Sequence, residues 1–184
     1  FPQKKPSVYK AKTVTAKKSS ILNQKDFERA KETIQFIKDK KWNSALKIAS
    51  KVKDKEFRNL ITWMYLKTSR NGASFNEYKK FIEQNGDYPR INRIRFLAEE
   101  KIYLRNNSPT SIINWFEKYP PLGGLGKIKL AEAYLEQGKS EKVKELIKDG
   151  WITATIRKND LGYYRAKFKK FIDSDDHIKR ADYL

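Results

Sequence analysis

A chain of 184 residues that is 39% hydrophobic, with ten Tyr, ten Phe and four Trp, can bury a core and is excluded from the disordered class. The absence of cysteine excludes disulfides and thiolate metal sites, and no apolar run reaches the ~20 residues of a membrane-spanning helix. The formal charge of +19, from 41 Lys and Arg against 22 Asp and Glu, favours an anionic partner without choosing among nucleic acid, anionic lipid and a carboxylate-rich polymer; Lys-rich compositional drift would produce the same figure.

Residues 1–20 stand apart. They hold Lys4, Lys5, Lys10, Lys12, Lys17 and Lys18, two prolines and no acid. This composition reads as a solvated tail or linker, or as an electrostatic tether to an anionic surface. Within it, residues 8–15 offer only a weak strand. The chain begins at Phe1 rather than Met, which is compatible with a removed leader.

From about Ser20 the spacing is helical. Phe27, Ala30, Ile34 and Ile37 recur at three and four residues and share one predicted face. After a break at Lys40-Lys41, Trp42, Ala45, Leu46, Ala49 and Val52 repeat the theme. Phe57, Leu60, Ile61, Met64 and Tyr65 form a third block, stopped by Asn71-Gly72. Phe75, Tyr78, Phe81 and Ile82 form a fourth, opened by Ser74 as N-cap and closed by Asn85-Gly86. Pro89 is expected to open a long helix through Ile91, Ile94, Leu97, Ala98, Ile102 and Tyr103, ending at Asn106-Asn107.

Ser108-Pro109 is a start signal, an N-cap followed by proline at the first helical position, for a short helix carrying Ile112, Ile113, Trp115 and Phe116 that stops at Pro120-Pro121. A glycine-rich turn leads to Leu130, Ala131, Tyr134 and Leu135, ended by Gly138. Val143, Leu146 and Ile147 mark a helix expected to end near Gly150. Tyr163, Tyr164, Phe168, Phe171 and Ile172 follow, then a last start at Ser174. Nine or ten helices with short connections and no convincing strand predict an all-α fold over residues 21–184. Its stacked antiparallel hairpins would form an α-superhelix or solenoid. The segment around Trp42, Ala45 and Ala49 resembles that around Ser140, Val143 and Ile147, about 98 residues on, near three tetratricopeptide-like periods of ~34.

Candidate chemistry is sparse. Gly123-Gly124-Leu125-Gly126-Lys127 lacks phosphate-loop spacing: Pro121 stands where a glycine is needed, and Ile128 where Ser or Thr is needed. It reads as a turn that starts a helix. His177 is the single histidine, too few for a triad or a zinc site, and Ser174-Asp175-Asp176-His177 reads as a helix start with acids against the positive end of the dipole. Arg180 and Asp182 are expected to form local ion pairs. Glu99-Glu100 and Asp175-Asp176 are neighbours that diverge on a helix, so neither pair is built to share a glycosidic bond. Glu99 is expected to be a partly buried acid facing an Arg. Trp42, Trp63, Trp115 and Trp151 lie in helical apolar patterns and read mainly as packing residues, with a groove exposing one or two of them to sugar rings as the other possibility. No catalytic residue, metal ligand or cofactor site is assigned.

The order of these features resembles the N-terminal helical domain of soluble lytic transglycosylases, periplasmic enzymes that cleave peptidoglycan. The likeness runs through Trp42, Ala45-Leu46, Ala49, Leu60, Trp63 and Leu66. It continues through Tyr88-Pro89, where the family has Trp-Pro, and then Arg95, Glu99, Trp115-Phe116, Pro120-Pro121, Gly124, Leu130-Ala131, Gly138 and Trp151. It closes on Asp176-His177, Arg180, Asp182 and Leu184. It covers about residues 25–184 and is loose over 153–162. The resemblance implies a helical superhelix, here a fragment of a longer helical domain, that serves a lysozyme-like catalytic domain elsewhere in the parent protein. That domain's Glu-Ser pair and Gly-Leu-Met-Gln stretch are absent: no Glu precedes Ser, and the only methionine is Met64. The chain is therefore expected to be inactive alone, a scaffold and guide for an anionic cell-wall polymer. The alternatives are a tetratricopeptide-like protein-interaction scaffold and, with no nucleic-acid motif to support it, a basic RNA- or DNA-binding helical repeat.

Overall fold

The computed structural model describes residues 18–184 and is all-α, with ten helices and no strand among the described residues. Most of the basic segment 1–20, and the weak strand considered for 8–15, lie outside the described residues. The helices are α1 (Gln24–Lys38), α2 (Trp42–Ala49), α3 (Lys55–Lys67), α4 (Phe75–Gln84), α5 (Ile91–Glu99), α6 (Pro109–Lys118), α7 (Gly124–Glu136), α8 (Ser140–Thr153), α9 (Lys158–Lys167) and α10 (Ser174–Tyr183). They fall into two compact units, the first ending at Thr62 and the second Trp63–Leu184, the division lying inside α3. No helix among the described residues is long and apolar enough to cross a membrane.

In the first unit, Asn23 caps α1 by accepting the Asp26 N–H at 2.9 Å. Asp26 is itself buried, and its carboxylate accepts the Lys53 N–H at 3.1 Å and pairs with Arg29 at 3.0 Å. The Lys53 N–H, ahead of Arg29, holds the Asp26 carboxyl below its ordinary range. Drawing this acid inward rotates the helix relative to the predicted face: Asp26, Ala30 and Thr33 are buried, whereas Ile34 is exposed. Leu60 of α3, also expected in the core, is exposed, while Ile61, expected there too, is buried.

In the second unit several sequence signals act as read. Ser74 forms a capping box with Glu77, and Ser108 caps α6 with Pro109 in the first turn. Asn71 ends α3 by donating to the carbonyls of Tyr65, Leu66 and Thr68 at 3.3, 3.1 and 2.9 Å. The final helix is capped by Asp173 in a box with Asp176, one residue earlier than Ser174.

Two helices differ from expectation. Helix α5 starts at Ile91 after a left-handed Arg90 and ends at Glu99, so Pro89 lies outside it and residues 100–107 are non-helical. The Trp63 indole N–H donates to the Pro89 carbonyl at 2.8 Å and fixes that entry. Beyond Glu99 the chain leaves helical geometry to bury Ile102 and to let Lys101 donate to the Asn71 carbonyl at 2.7 Å. Helix α8 runs through Gly150 to Thr153. A Cβ at Gly150 would sit 3.2 Å from the Gly124 carbonyl and 3.1 Å from Lys127 Cβ, so this glycine permits a close crossing of α7 rather than a stop. The core here joins Ile128, Ala131, Val143, Ile147, Trp151 and Phe168.

The repeat read at Trp42 and Ser140 reappears as backbone geometry. Lys40 and Gly138 both take positive φ, 58° and 71°. Lys41 N–H reaches the Phe36 carbonyl at 2.8 Å, and Lys139 N–H the Tyr134 carbonyl at 2.9 Å, the six-to-one bond of a Schellman motif. Ala45 and Val143, then Ala49 and Ile147, occupy matching buried positions one turn apart. Because left-handed backbone costs a non-glycine residue about 1–2 kcal/mol, Lys40→Gly is expected to raise stability by roughly 0.5–1 kcal/mol after its entropic penalty, and Gly138→Ala to lower it by about 1 kcal/mol. Urea denaturation of the two variants reads both signs.

Candidate functional site

The most constrained polar centre lies where α5 meets the start of α7. The N-cap of α7 is Gly123, a residue with no side chain to cap it, which leaves N–H groups at the helix start in need of acceptors. Glu99, the last residue of α5 and only 3% exposed, supplies them: its two carboxyl oxygens accept from Leu122 N–H at 2.5 Å and Gly123 N–H at 3.1 Å, and the Gly126 N–H also points at it. One turn earlier, Arg95 donates to the Pro120 carbonyl at 3.0 Å. Thus α5 grips the α6–α7 connection at two places, with an acid and a base. Glu99 makes no direct ion pair with Arg95, because backbone N–H groups occupy its oxygens, though Arg95 is near enough to act on its carboxyl electrostatically.

The glycine-rich turn follows from this geometry. A Cβ on Gly126 would lie 2.5 Å from the Glu99 carboxyl carbon, one on Gly123 2.6 Å from the Phe96 ring, and one on Gly124 2.4 Å from the Ala154 nitrogen. The glycines admit a carboxylate and two helix neighbours, with no call for a phosphate. Burial pushes the Glu99 carboxyl up to about 7, against the downward pull of the backbone N–H groups and of Arg95. Beside it opens a cavity of about 710 Å³ whose lining includes Phe96, Glu100, Lys127, Asp149, Thr153 and Tyr183. Lys127 and Asp149 form a short ion pair there.

The remaining residues singled out in the sequence are mostly dispersed as joints. Trp42 opens α2 half-buried. Trp63 packs on Tyr88 at 5.9 Å as well as bonding Pro89, and Lys67 lies over its ring. Trp115 is buried edge-on to Phe75 at 5.3 Å. Pro121 lines the cavity next to Glu99, and Gly138 closes α7. Trp151, buried in the core, donates its indole N–H to His177 Nδ1 at 3.2 Å. Asp176 serves its own helix start. Arg180 forms no local ion pair: it is buried and donates to the carbonyls of Trp151 and Ala154, the latter at 2.8 Å, satisfying the end of α8. Asp182 is exposed and makes no ion pair among the described residues.

Sequence reading passed over Lys129 and Glu132, charged yet 1% and 3% exposed inside α7. Glu132 is taken by the Tyr163 hydroxyl and by Lys167 at 3.3 Å, which links α7 to α9. The available signal was their position within the apolar run from Ile128 to Ala133, where neither charge has room to face water. No cluster of three or more His, Cys, Asp or Glu positioned for a metal occurs among the described residues. The second unit is thus an all-α assembly whose buried ionisable groups serve chiefly to splice helix ends. No family model, curated protein or solved structure matches the chain.

Two outcomes test the splice. Because the folded carboxyl at about 7 lies above its ordinary 4.5, folding favours the proton: this contribution is full below pH 4.5 and is lost as pH rises through 7, at about 1.4 kcal/mol per unit between the two values. Glu99→Gln is expected to flatten that slope in urea titrations from pH 4 to 8; a wild-type stability that rises over the window would show the N–H groups holding the anion instead. Gly126→Ala forces the carboxyl away and is expected to cost about 2–3 kcal/mol through the N–H groups it strands.

Proposed function

We propose that this chain is a non-catalytic helical scaffold of the soluble lytic transglycosylase type, guiding peptidoglycan strands in the periplasm toward a lysozyme-like catalytic domain of its parent protein. One observation carries the reading: the residues shared with that family's helical domain are used up as joints between helices. Glu99 spends both oxygens on the start of α7, Arg95 holds Pro120, Trp151 holds His177, and Arg180 closes α8. Glu99 lines the neighbouring cavity with Glu100 and Asp149, but both of its carboxyl oxygens are already engaged by backbone N–H groups, which supports a structural rather than an acid–base role. What is left for substrate is the surface, and a net charge of +19 attracts a polymer whose stem peptides bear carboxylates. Stacked hairpins in a superhelix would offer such a polymer a long track.

A tetratricopeptide-like interaction scaffold is the second reading, favoured by the Schellman turn that recurs at Lys40 and Gly138. Co-sedimentation with purified peptidoglycan sacculi separates the two. Retention at low ionic strength, release by salt, and weaker retention after the stem-peptide carboxylates are amidated are expected, with no soluble glycan fragments produced. Release of fragments by the chain alone, or retention indifferent to amidation, would sink the proposal.

A further inference from the structure

Lys129 lies in the middle of α7, 1% exposed, with its ammonium 3.8 Å from the centroid of the Tyr103 ring and 5.3 Å from that of Tyr164. Ring faces attract the charge but leave the three N–H donors of an ammonium without acceptors. Lys129 Nζ makes no hydrogen bond or ion pair with a described residue. The neighbouring Lys167 shows what a satisfied lysine looks like here, bonded to Glu136 at 2.8 Å and to the Tyr163 hydroxyl at 2.8 Å while pairing with Glu132. Glu132, the carboxylate nearest in sequence to Lys129, is thereby already engaged.

The Lys129 side chain also lines a cavity of about 130 Å³ shared with Glu100, Tyr103, Thr155, Arg157 and Asp160. Arg157 is mostly exposed and only loosely held, 3.6 Å from Glu100. Glu132 and Asp160 favour the ammonium only from a distance, so its donors remain open to an anion that enters the cavity. The space is small, and Glu100 and Asp160 repel a doubly charged group far more than a singly charged planar one.

We infer that this cavity binds a carboxylate group, one oxygen taken by Lys129 Nζ on its inner side and the other by the Arg157 guanidinium at its mouth, with Tyr103 as the apolar wall. The site is independent of the polymer-guiding reading and uses none of its joints. Charge around the ammonium comes from Glu132 on α7, Asp160 on α9, Glu100, Arg105 and Arg157; the Tyr164 phenol is held neutral because burial raises it. Burial pulls Lys129 down to about 8, with Arg105 and Arg157 acting in the same direction and Glu132 and Asp160 opposing. A bound carboxylate favours the charged amine, so binding and protonation are linked. Affinity should fall about tenfold per pH unit once pH exceeds the free-state value.

The test is a titration of the full chain with sodium acetate, with the dipeptide Ala-Ala and with its C-terminal amide. Ionic strength is fixed with chloride, and the amide NMR shifts of Leu125, Thr155 and Ile156 are followed at pH 7 and pH 9.5. Saturable shifts with acetate are expected at millimolar concentration, weaker at the higher pH and absent with the amide. A matching response to Ala-Ala identifies the occupant as a peptide terminus, and a response to acetate alone identifies a free small acid. Lys129→Met should abolish the response. Since that variant changes the core, the ¹⁵N titration of the Lys129 ammonium in the unaltered protein supplies a second reading, and acetate should move it upward. Absence of saturation, equal response to the amide, or an ammonium titration indifferent to acetate would overturn the inference.

Discussion

A helix cannot finish its own first turn, and α7 begins with glycines that offer it no help. Its start is therefore completed from another helix, by the carboxyl of Glu99, and much of the second unit follows from that one loan of acceptors. The glycines at 123, 124 and 126 are required by closeness to it, not by any ligand. With α7 pinned at its start, Gly124 and Gly150 let α8 cross it closely, and Arg180 of α10 closes that same C-terminal end of α8. Each joint pairs the unsatisfied end of one helix with a buried charge from a different one.

The same economy accounts for the charges that stay inside. Asp26 joins α1 to the turn after α2, Glu132 joins α7 to α9, and Arg95 ties α5 to Pro120. A buried charge of this kind is tolerated because hydrogen bonds replace the water it lost. Lys129 differs, since its ammonium lies against ring faces and takes no direct hydrogen bond or ion pair from a described residue, with Glu132 and Asp160 acting on it only at longer range.

Legibility from the sequence followed the range of the interaction. Caps at Ser74, Ser108 and Asn71 act within a few residues, and their chemistry is written locally. The hairpin turn was visible as a spacing between Trp42 and Ser140, although its left-handed residue is a lysine in one copy and a glycine in the other. Faces of helices were read less well. Ile34 and Leu60 fit the apolar period yet are exposed: Asp26 claims the interior side of α1, and of the adjacent pair in α3 only Ile61 is buried. Gly150 looked like a stop, and only the helix lying across it shows that it is a crossing.

The sequence by itself determined that this is an all-α chain of short helices joined by turns. Periodicity, caps and breakers are properties of neighbours within one or two turns, and the chain states them directly. Tertiary structure decided which charges are buried and what they do. Glu99 reaches residues 122 to 126, Trp151 reaches His177, and Arg180 reaches back to Ala154. These are meetings of distant segments whose partners no local pattern specifies, because a carboxyl's worth depends on which N–H groups the fold delivers to it.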